Sequence, residues 1–151
     1  MYRAVLLIAL VPALVFGNVA RVCTGNRPHP ISVDVLGCTS PPCDLERGQD
    51  IIAYIDFTTD RSVTSMTTLA TAMATGIVTG YPVGSNAITC NFLQGSSCPL
   101  SANENVTYRL TLPILPIYPL VSLSIEVDVI DQNNQSVICF VVDARVGAAS
   151  K

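Results

Sequence analysis

The sequence has no tryptophan and a single histidine, His29, held between Pro28 and Pro30. A serine or cysteine nucleophile that needs an imidazole base has only that residue to draw on, and nothing around it is arranged for the task. His29 reads as a surface loop residue. Charge is scarce too. Asp, Glu, Lys and Arg make up 13 % of the 151 residues, about half the usual ~25 %. Basic residues are scattered and the net charge is −3, so there is no electrostatic footprint for nucleic acid. Glycine-rich phosphate loops and histidine clusters are missing. The closely spaced cysteines do not have Cys-x-x-Cys spacing, which removes the usual pattern for redox catalysis and for zinc. Beyond residue 17 no apolar run is long enough to span a bilayer. Gly147-Ala148-Ala149-Ser150-Lys151 carries no anchor or retention signal. Eleven acidic residues keep a carboxylate pair possible by composition. Glu126 and Asp128, however, read as the solvated face of a strand, and Asp44, Glu46 and Asp50 around Arg47 as a polar turn. The expectation is a protein that is not an enzyme and holds no metal or cofactor.

Half of the chain is hydrophobic. A domain this poor in charge must either pack very completely or keep apolar surface for a ligand. Met1 to Gly17 reads as a signal peptide, with Arg3 as the positive n-region, Ala4 to Phe16 as the apolar core and Gly17 at the cut. Residues 18–151 then form one domain. Cys23, Cys38, Cys43, Cys90, Cys98 and Cys139 all follow the leader, an even set that fits the oxidising secretory route. Asn105-Val106-Thr107 and Asn134-Gln135-Ser136 are N-glycosylation sequons, so both segments are expected at the surface.

The strongest pattern is Val121 to Ile130. Val121, Leu123, Ile125, Val127 and Val129 alternate with polar residues, the period of a strand with one buried face. Asp131 to Gln135 reads as a turn. Val137 to Val146 follows, with Ile138, Phe140, Val142, Ala144 and Val146 on one face, so the pair predicts a hairpin. Ile31–Leu36, Ile51–Phe57 and Tyr108–Leu112 are further strands. Ser62 to Gly80 fits a helical stripe and an alternation of Val63, Leu69, Met73 and Ile77. Its threonines favour one or two strands. Pro113, Pro116 and Pro119 recur every third residue, which predicts a stiff polyproline II rim. The fold class is all-β: an antiparallel sandwich of about seven strands.

The residues around the cysteines carry a resemblance. Gly37-Cys38-Thr39-Ser40-Pro41-Pro42-Cys43-Asp44-Leu45-Glu46-Arg47-Gly48-Gln49, Cys98-Pro99-Leu100, Leu112-Pro113-Ile114 with Tyr118-Pro119, and Asp131-Gln132-Asn133-Asn134-Gln135-Ser136-Val137-Ile138-Cys139-Phe140 together resemble the Niemann-Pick type C-2 proteins of the ML lipid-recognition domain family, which includes the group 2 mite allergens. The resemblance runs from Cys23 to Val146.

It implies disulfides Cys23–Cys139, Cys38–Cys43 and Cys90–Cys98, and an immunoglobulin-like sandwich with a lipid cavity between its sheets. Carried over position by position, the cavity wall falls on Phe57, Ile114, Tyr118, Ile125, Val127, Phe140 and Val142. The implied function is a secreted carrier of a sterol, fatty acid or other small lipid, extracellular or in the lysosomal lumen. It would be a monomer with transient membrane or receptor contact. An extracellular interaction module in innate immunity and a chemosensory semiochemical carrier are the alternatives. This chain departs from the family's sterol carriers where Val127 and Phe140 stand in place of tryptophan. Its segment Gly80 to Thr89 has one proline and no phenylalanine. Both departures alter the shape of the cavity.

Overall fold

Strands with one apolar face must cover that face, and here they do so by stacking two sheets. The structure, a computed structural model, describes residues 18–149. The expected signal peptide, residues 1–17, lies outside the described residues. The strands are β1 (Ala20–Val22), β2 (Ser32–Val35), β3 (Cys43–Glu46), β4 (Asp50–Thr58), β5 (Met66–Ala74), β6 (Ile77–Tyr81), β7 (Leu93–Gln94), β8 (Asn105–Pro113), β9 (Ser122–Asp131) and β10 (Ser136–Gly147). One sheet runs β1-β10-β9-β5-β6, with β3 also lying against β10. The other runs β2-β4-β8-β7. Every strand pairing is antiparallel except β3 with β10. The segments read from the sequence all form strands. The additional ones, β1, β3 and β7, have 3, 4 and 2 residues, too few to show a period.

Inward faces follow the alternation in β9 and β10. Ile125, Val127, Val129, Phe140, Val142, Ala144 and Val146 are buried. In β4 and β8 the same holds for Ala53, Ile55 and Phe57, and for Val106, Tyr108, Leu110 and Leu112.

The segment 62–80 departs from expectation. It forms two strands joined at Thr75-Gly76, whose φ values of 49° and 79° make a two-residue hairpin turn with both residues in the left-handed region. The inward residues of β5 are Met66, Thr68 and Ala70 rather than the apolar set read from the sequence. Leu69 and Ile77 are exposed, and Met73 packs on the outer side against Cys23, Cys139 and Val141. Register decides this. Ala70 lies opposite Val127 and Ala72 opposite Ile125, and directly opposed residues face the same side. The strong alternation of β9 therefore dictates which side of β5 turns inward, and small residues arrive there.

The proline-rich stretch also differs. Tyr118 N–H donates to the Leu115 carbonyl at 3.1 Å, so Leu115-Pro116-Ile117-Tyr118 is a turn with proline at its second position, where the fixed φ fits. A polyproline II run is not formed there. Ile114 is clamped on both sides: its N–H donates to Gln49 O at 3.0 Å, and its carbonyl accepts from Gly48 N–H at 2.6 Å. Gly48, at φ 84°, supplies the left-handed position of the Glu46–Gln49 turn. That turn crosses from β3 in one sheet to β4 in the other, and the stretch 114–121 crosses from β8 to β9 at the same end.

Disulfides join Cys23 to Cys139, Cys38 to Cys43 and Cys90 to Cys98, at sequence separations of 116, 5 and 8. The first ties the start of the chain to the last strand. The second fixes the link that delivers β3.

Candidate functional site: an apolar cavity at one end of the sandwich

Where β8 leaves for β9 and β5 turns into β6, the sheets do not meet. A cavity of about 300 Å³ opens there, at the lower end of the roughly 300–1,000 Å³ common for small-molecule sites. One wall is the inner face of the larger sheet: Ala72 and Ala74 of β5, Leu123 of β9 and Val146 of β10. Leu45 of β3 joins them, and Ile114, Tyr118, Pro119 and Val121 form the opposite wall. Tyr81 and Pro82 complete it at the end of β6. The space exists because β5 turns alanines inward here, and because a proline-held turn spans the end without filling it.

No charged side chain lines the cavity. Tyr81 and Tyr118 meet edge to face, with ring centroids 5.5 Å apart and planes at 66°. The Tyr81 hydroxyl donates to the Pro113 carbonyl at 2.6 Å. Its phenol is pushed up, first by burial and then by the Tyr118 hydroxyl beside it and by Asp50. The Tyr118 hydroxyl is itself shut off from solvent and has no hydrogen-bond partner. An unmet group of that kind costs about 1–3 kcal/mol. Arg47 holds the same residue from behind, donating to the Tyr118 main-chain carbonyl at 3.3 Å.

Deeper between the sheets the space almost closes. A gap of about 30 Å³ lies among Val35, Ala53, Leu110, Ile125, Val127, Phe140 and Val142, with Ile114 shared between it and the large cavity. Of the residues carried over from the family, Ile114 and Tyr118 thus line the large cavity. Ile125, Val127, Phe140 and Val142 stand around the narrow gap with Ile114. Phe57 lines neither; it is 1 % exposed and sits opposite Val106 at the far end of β4. The sequence reading left out Ala72, Ala74, Leu45, Tyr81, Leu123 and Val146. The alternation of Ala70, Ala72 and Ala74 was the available signal: three small residues on one strand face leave volume opposite.

The far end is filled, and its buried hydroxyls and the Asp131 carboxylate are met, while His29 Nδ1 in the loop before β2 is buried without a partner. Tyr108, fully buried, shares a hydrogen bond of 2.7 Å with Thr68, and Thr68 shares one of 2.8 Å with Thr89. Burial pushes the Tyr108 phenol up to about 12, against the lowering effect of those two hydroxyls. The Asp131 carboxylate accepts from the Asn133 and Gln135 amides and from Arg61. Burial alone would raise its pKa, but the Gln135 amide, Arg61 and the Asn133 amide outweigh it and hold the carboxyl below its ordinary value.

Glu126 and Asp128 are not the plain solvated face read from the sequence. Arg27 donates to both, at 2.8 and 3.0 Å, and Ser136 to Asp128 at 2.6 Å, in a half-buried cluster. Cys23, Glu126 and Cys139 lie close enough together to suggest a metal site, but the two sulfurs form a disulfide and metal binding needs thiolates. His29 lies in the loop before β2, its Nε2 3.5 Å from the Asn18 amide nitrogen. Both sequon asparagines, Asn105 and Asn134, are exposed.

The chain is similar to known proteins in sequence and in fold. The ML domain family matches residues 17–146. NPC intracellular cholesterol transporter 2 homolog a of Drosophila melanogaster is 31 % identical over 116 residues, covering 76 % of this chain and 77 % of that protein. The ecdysteroid-regulated 16 kDa protein of Manduca sexta is 28 % identical over 105 residues, 69 % of this chain and 70 % of that one. The crystal structure of a Niemann-Pick type C2 protein from the Japanese carpenter ant superposes with a TM-score of 0.74 at 18 % identity, over 85 % of this chain and 98 % of that one. With its sandwich, its disulfide frame and a match that spans nearly the whole described chain, the protein belongs to the ML domain family.

Proposed function

We propose that this protein is an exported carrier of a small lipid, held in the apolar cavity between Ala72, Leu123, Ile114 and Tyr118. The observation that carries the reading is that cavity: about 300 Å³, without a charged wall residue, in a domain whose far end is tightly filled. The named cholesterol transporters among its relatives support it. Binding would be driven by desolvation. A ligand that removes roughly 200 Å² of apolar surface from water gains about 5 kcal/mol before the costs of association. No chemical step is needed.

Ile77 and Val78 on one lip, and Ile117 and Leu120 on the other, are exposed apolar residues beside the cavity. They give the ligand a low-barrier route to a membrane or a partner, and the proposed transient contact lies there. Asn105 and Asn134 stand at the opposite ends of β8 and of the β9–β10 hairpin, so glycans on them would leave the mouth free. The leader-like residues 1–17 support export, to extracellular fluid or the lysosomal lumen. No helix among the described residues is long and apolar enough to cross a membrane.

Native mass spectrometry of delipidated protein, incubated separately with sterols and with fatty acids, tests the proposal. One bound ligand per chain, with a raised melting temperature, is expected for at least one class. Uptake of neither would refute it.

A further inference from the structure

We propose that β6 is a dimerisation edge, along which a second copy of this chain adds its own β6 antiparallel to the first and joins the two larger sheets into one.

β6 ends the larger sheet and pairs with β5 on one side. A bare strand edge is a template for pairing, and proteins guard theirs with charge, proline, short length or a covering segment. Among the described residues the other edges are guarded. β1 has 3 residues and β7 has 2. Asp44 stands on β3 in an ion pair with Arg145, and Asp34 is exposed on β2. β6 has none of these devices. It reads Ile77-Val78-Thr79-Gly80-Tyr81, and no Asp, Glu, Lys or Arg occurs from Ser62 to Asn103. Ile77 and Val78 are 66 % and 69 % exposed, and Thr79 and Gly80 are exposed beside them. Nothing lies within 4 Å of the place where a side chain on Gly80 would begin.

The register fixes what this edge offers. Ala74 opposite Ile77 closes the two-residue Thr75-Gly76 turn, and the closing pair of such a hairpin is hydrogen-bonded. Alternation then commits the N–H and C=O of Ile77, Thr79 and Tyr81 to β5 and turns those of Val78 and Gly80 outward. A copy related by a twofold axis at Thr79 meets them in kind. Val78 bonds to Gly80 of the second copy and Gly80 to its Val78, while Thr79 faces Thr79 in the closer, non-hydrogen-bonded position. The side chains agree with that pairing. Threonine opposite threonine and Ile77 opposite Tyr81 are favourable cross-strand pairs, and no like charges are opposed. This self-complementarity singles out a second copy over an unrelated strand. Because the other edges are guarded, assembly stops at a closed, isologous dimer.

Opposed residues face the same side of a sheet. Ile77, Thr79 and Tyr81, which line the cavity, therefore come beside their counterparts. The two cavities lie side by side at the axis, and Ile77 of the second copy extends the wall beyond Tyr81. The dimer itself does not depend on the carrier reading.

One strand edge buries less than the roughly 1,200–2,000 Å² of a stable complex, so association is weak. Sedimentation equilibrium of the purified protein from ~10 μM to ~1 mM, a range suited to so small an interface, should show monomer passing to dimer and no further. Val78→Lys puts a charge on the edge and Gly80→Pro removes an outward N–H, and neither breaks a β5–β6 hydrogen bond. Each should weaken association roughly tenfold or more, with the melting temperature of dilute protein unchanged. Thr79→Cys should cross-link into a covalent dimer under mild oxidation, because residues so opposed stand about 4.5 Å apart at Cα, within disulfide reach. Ser85→Cys, exposed but off the edge, should not. Monomer at every concentration would overturn the dimer and leave the edge to a strand of another protein. Association that runs on past the dimer, a dimer indifferent to both Val78→Lys and Gly80→Pro, or equal cross-linking of the two cysteine variants would overturn it as well. None of these measurements uses a ligand, so failure of the dimer and failure of lipid uptake are told apart.

Discussion

The two ends of the sandwich are built from the same strands and differ in what those strands turn inward. At the end holding Phe57, Val63, Tyr108 and Val129, each residue is at most 1 % exposed. Buried hydroxyls there find one another, and Asp131 is met by three donors. At the other end β5 offers Ala72 and Ala74, a proline-held turn spans the gap, and one tyrosine hydroxyl goes without a partner. One end is built for stability and the other gives some up. The void and the Tyr118 hydroxyl occur together, at the end where the cargo is proposed to sit.

The largest effect expected from breaking this contrast is covalent. Replacing Cys23 and Cys139 together by alanine removes a link of sequence separation 116 and should cost ~5 kcal/mol in the chain-entropy model. Loss of Cys38–Cys43, at separation 5, should cost only ~2 kcal/mol by the same model. Yet the smaller loss should weaken ligand binding more at temperatures where both variants are folded, since that bridge anchors β3 and Leu45 of the cavity wall. Urea denaturation and a lipid-binding titration on the same preparations would separate the two. Equal effects on binding would mean that β3 is held without its disulfide.

Next in size is core truncation. Phe57→Ala, at the filled end, should cost ~3–5 kcal/mol, because its packed surroundings collapse only partly. Leu123→Ala, on the cavity wall, should cost about 2 kcal/mol or less, since the side chain already borders empty space. Equal losses in chemical denaturation would show that the cavity end is packed as tightly as the other.

Much of this contrast was legible in the sequence, and what was not has a physical reason. The alternation in 121–130 and 137–146 marked the inner faces of β9 and β10 correctly, because one face is buried against the other sheet and the other carries polar residues. The resemblance supplied the cysteine pairing that spacing alone left open. The inward face of β5 was not legible. Threonine, alanine and methionine suit either side of a pleat, and only pairing with β9 selected the alanines. The turn at Leu115–Tyr118 was hidden for a related reason. A proline every third residue fits polyproline II and repeated turns alike, and the tie to Gly48 and Gln49, far away in sequence, decides between them. Nor did Glu126 and Asp128 reveal Arg27, which lies about a hundred residues away in sequence.

The filled end should also govern acid stability. The folded-state pKa of Asp131 is depressed, while an unfolded aspartate titrates near ~3.9. The stability it contributes is therefore present above that unfolded value and is lost as pH falls through the folded one. Between neutral pH and about pH 5 its contribution should not change, which suits a lysosomal as well as an extracellular setting. Asp131→Asn should cost ~1–3 kcal/mol at neutral pH by weakening its bonds to Arg61 and the turn amides. The gap to wild type in urea denaturation should narrow only in strong acid. A gap that already closes between neutral pH and pH 5 would show that another group controls the acid limb.

The smallest stability change belongs to the open end, and it is the most direct test of why that end is open. Ala72→Leu adds apolar volume to the cavity wall opposite Tyr118. In a filled core such an insertion costs about 1–3 kcal/mol through strain. Where a void is waiting, the strain should be offset by burial, and thermal denaturation of the empty protein should shift by less than ~1 kcal/mol in either direction. Ligand uptake should nevertheless drop sharply, because the added side chain occupies the space the ligand needs. A strongly destabilised Ala72→Leu protein would mean the cavity wall cannot take the larger side chain. An undamaged protein that still binds its lipid as well as wild type would place the cargo elsewhere between the sheets, at the narrow gap beside Ile125 and Val142, which would then have to widen.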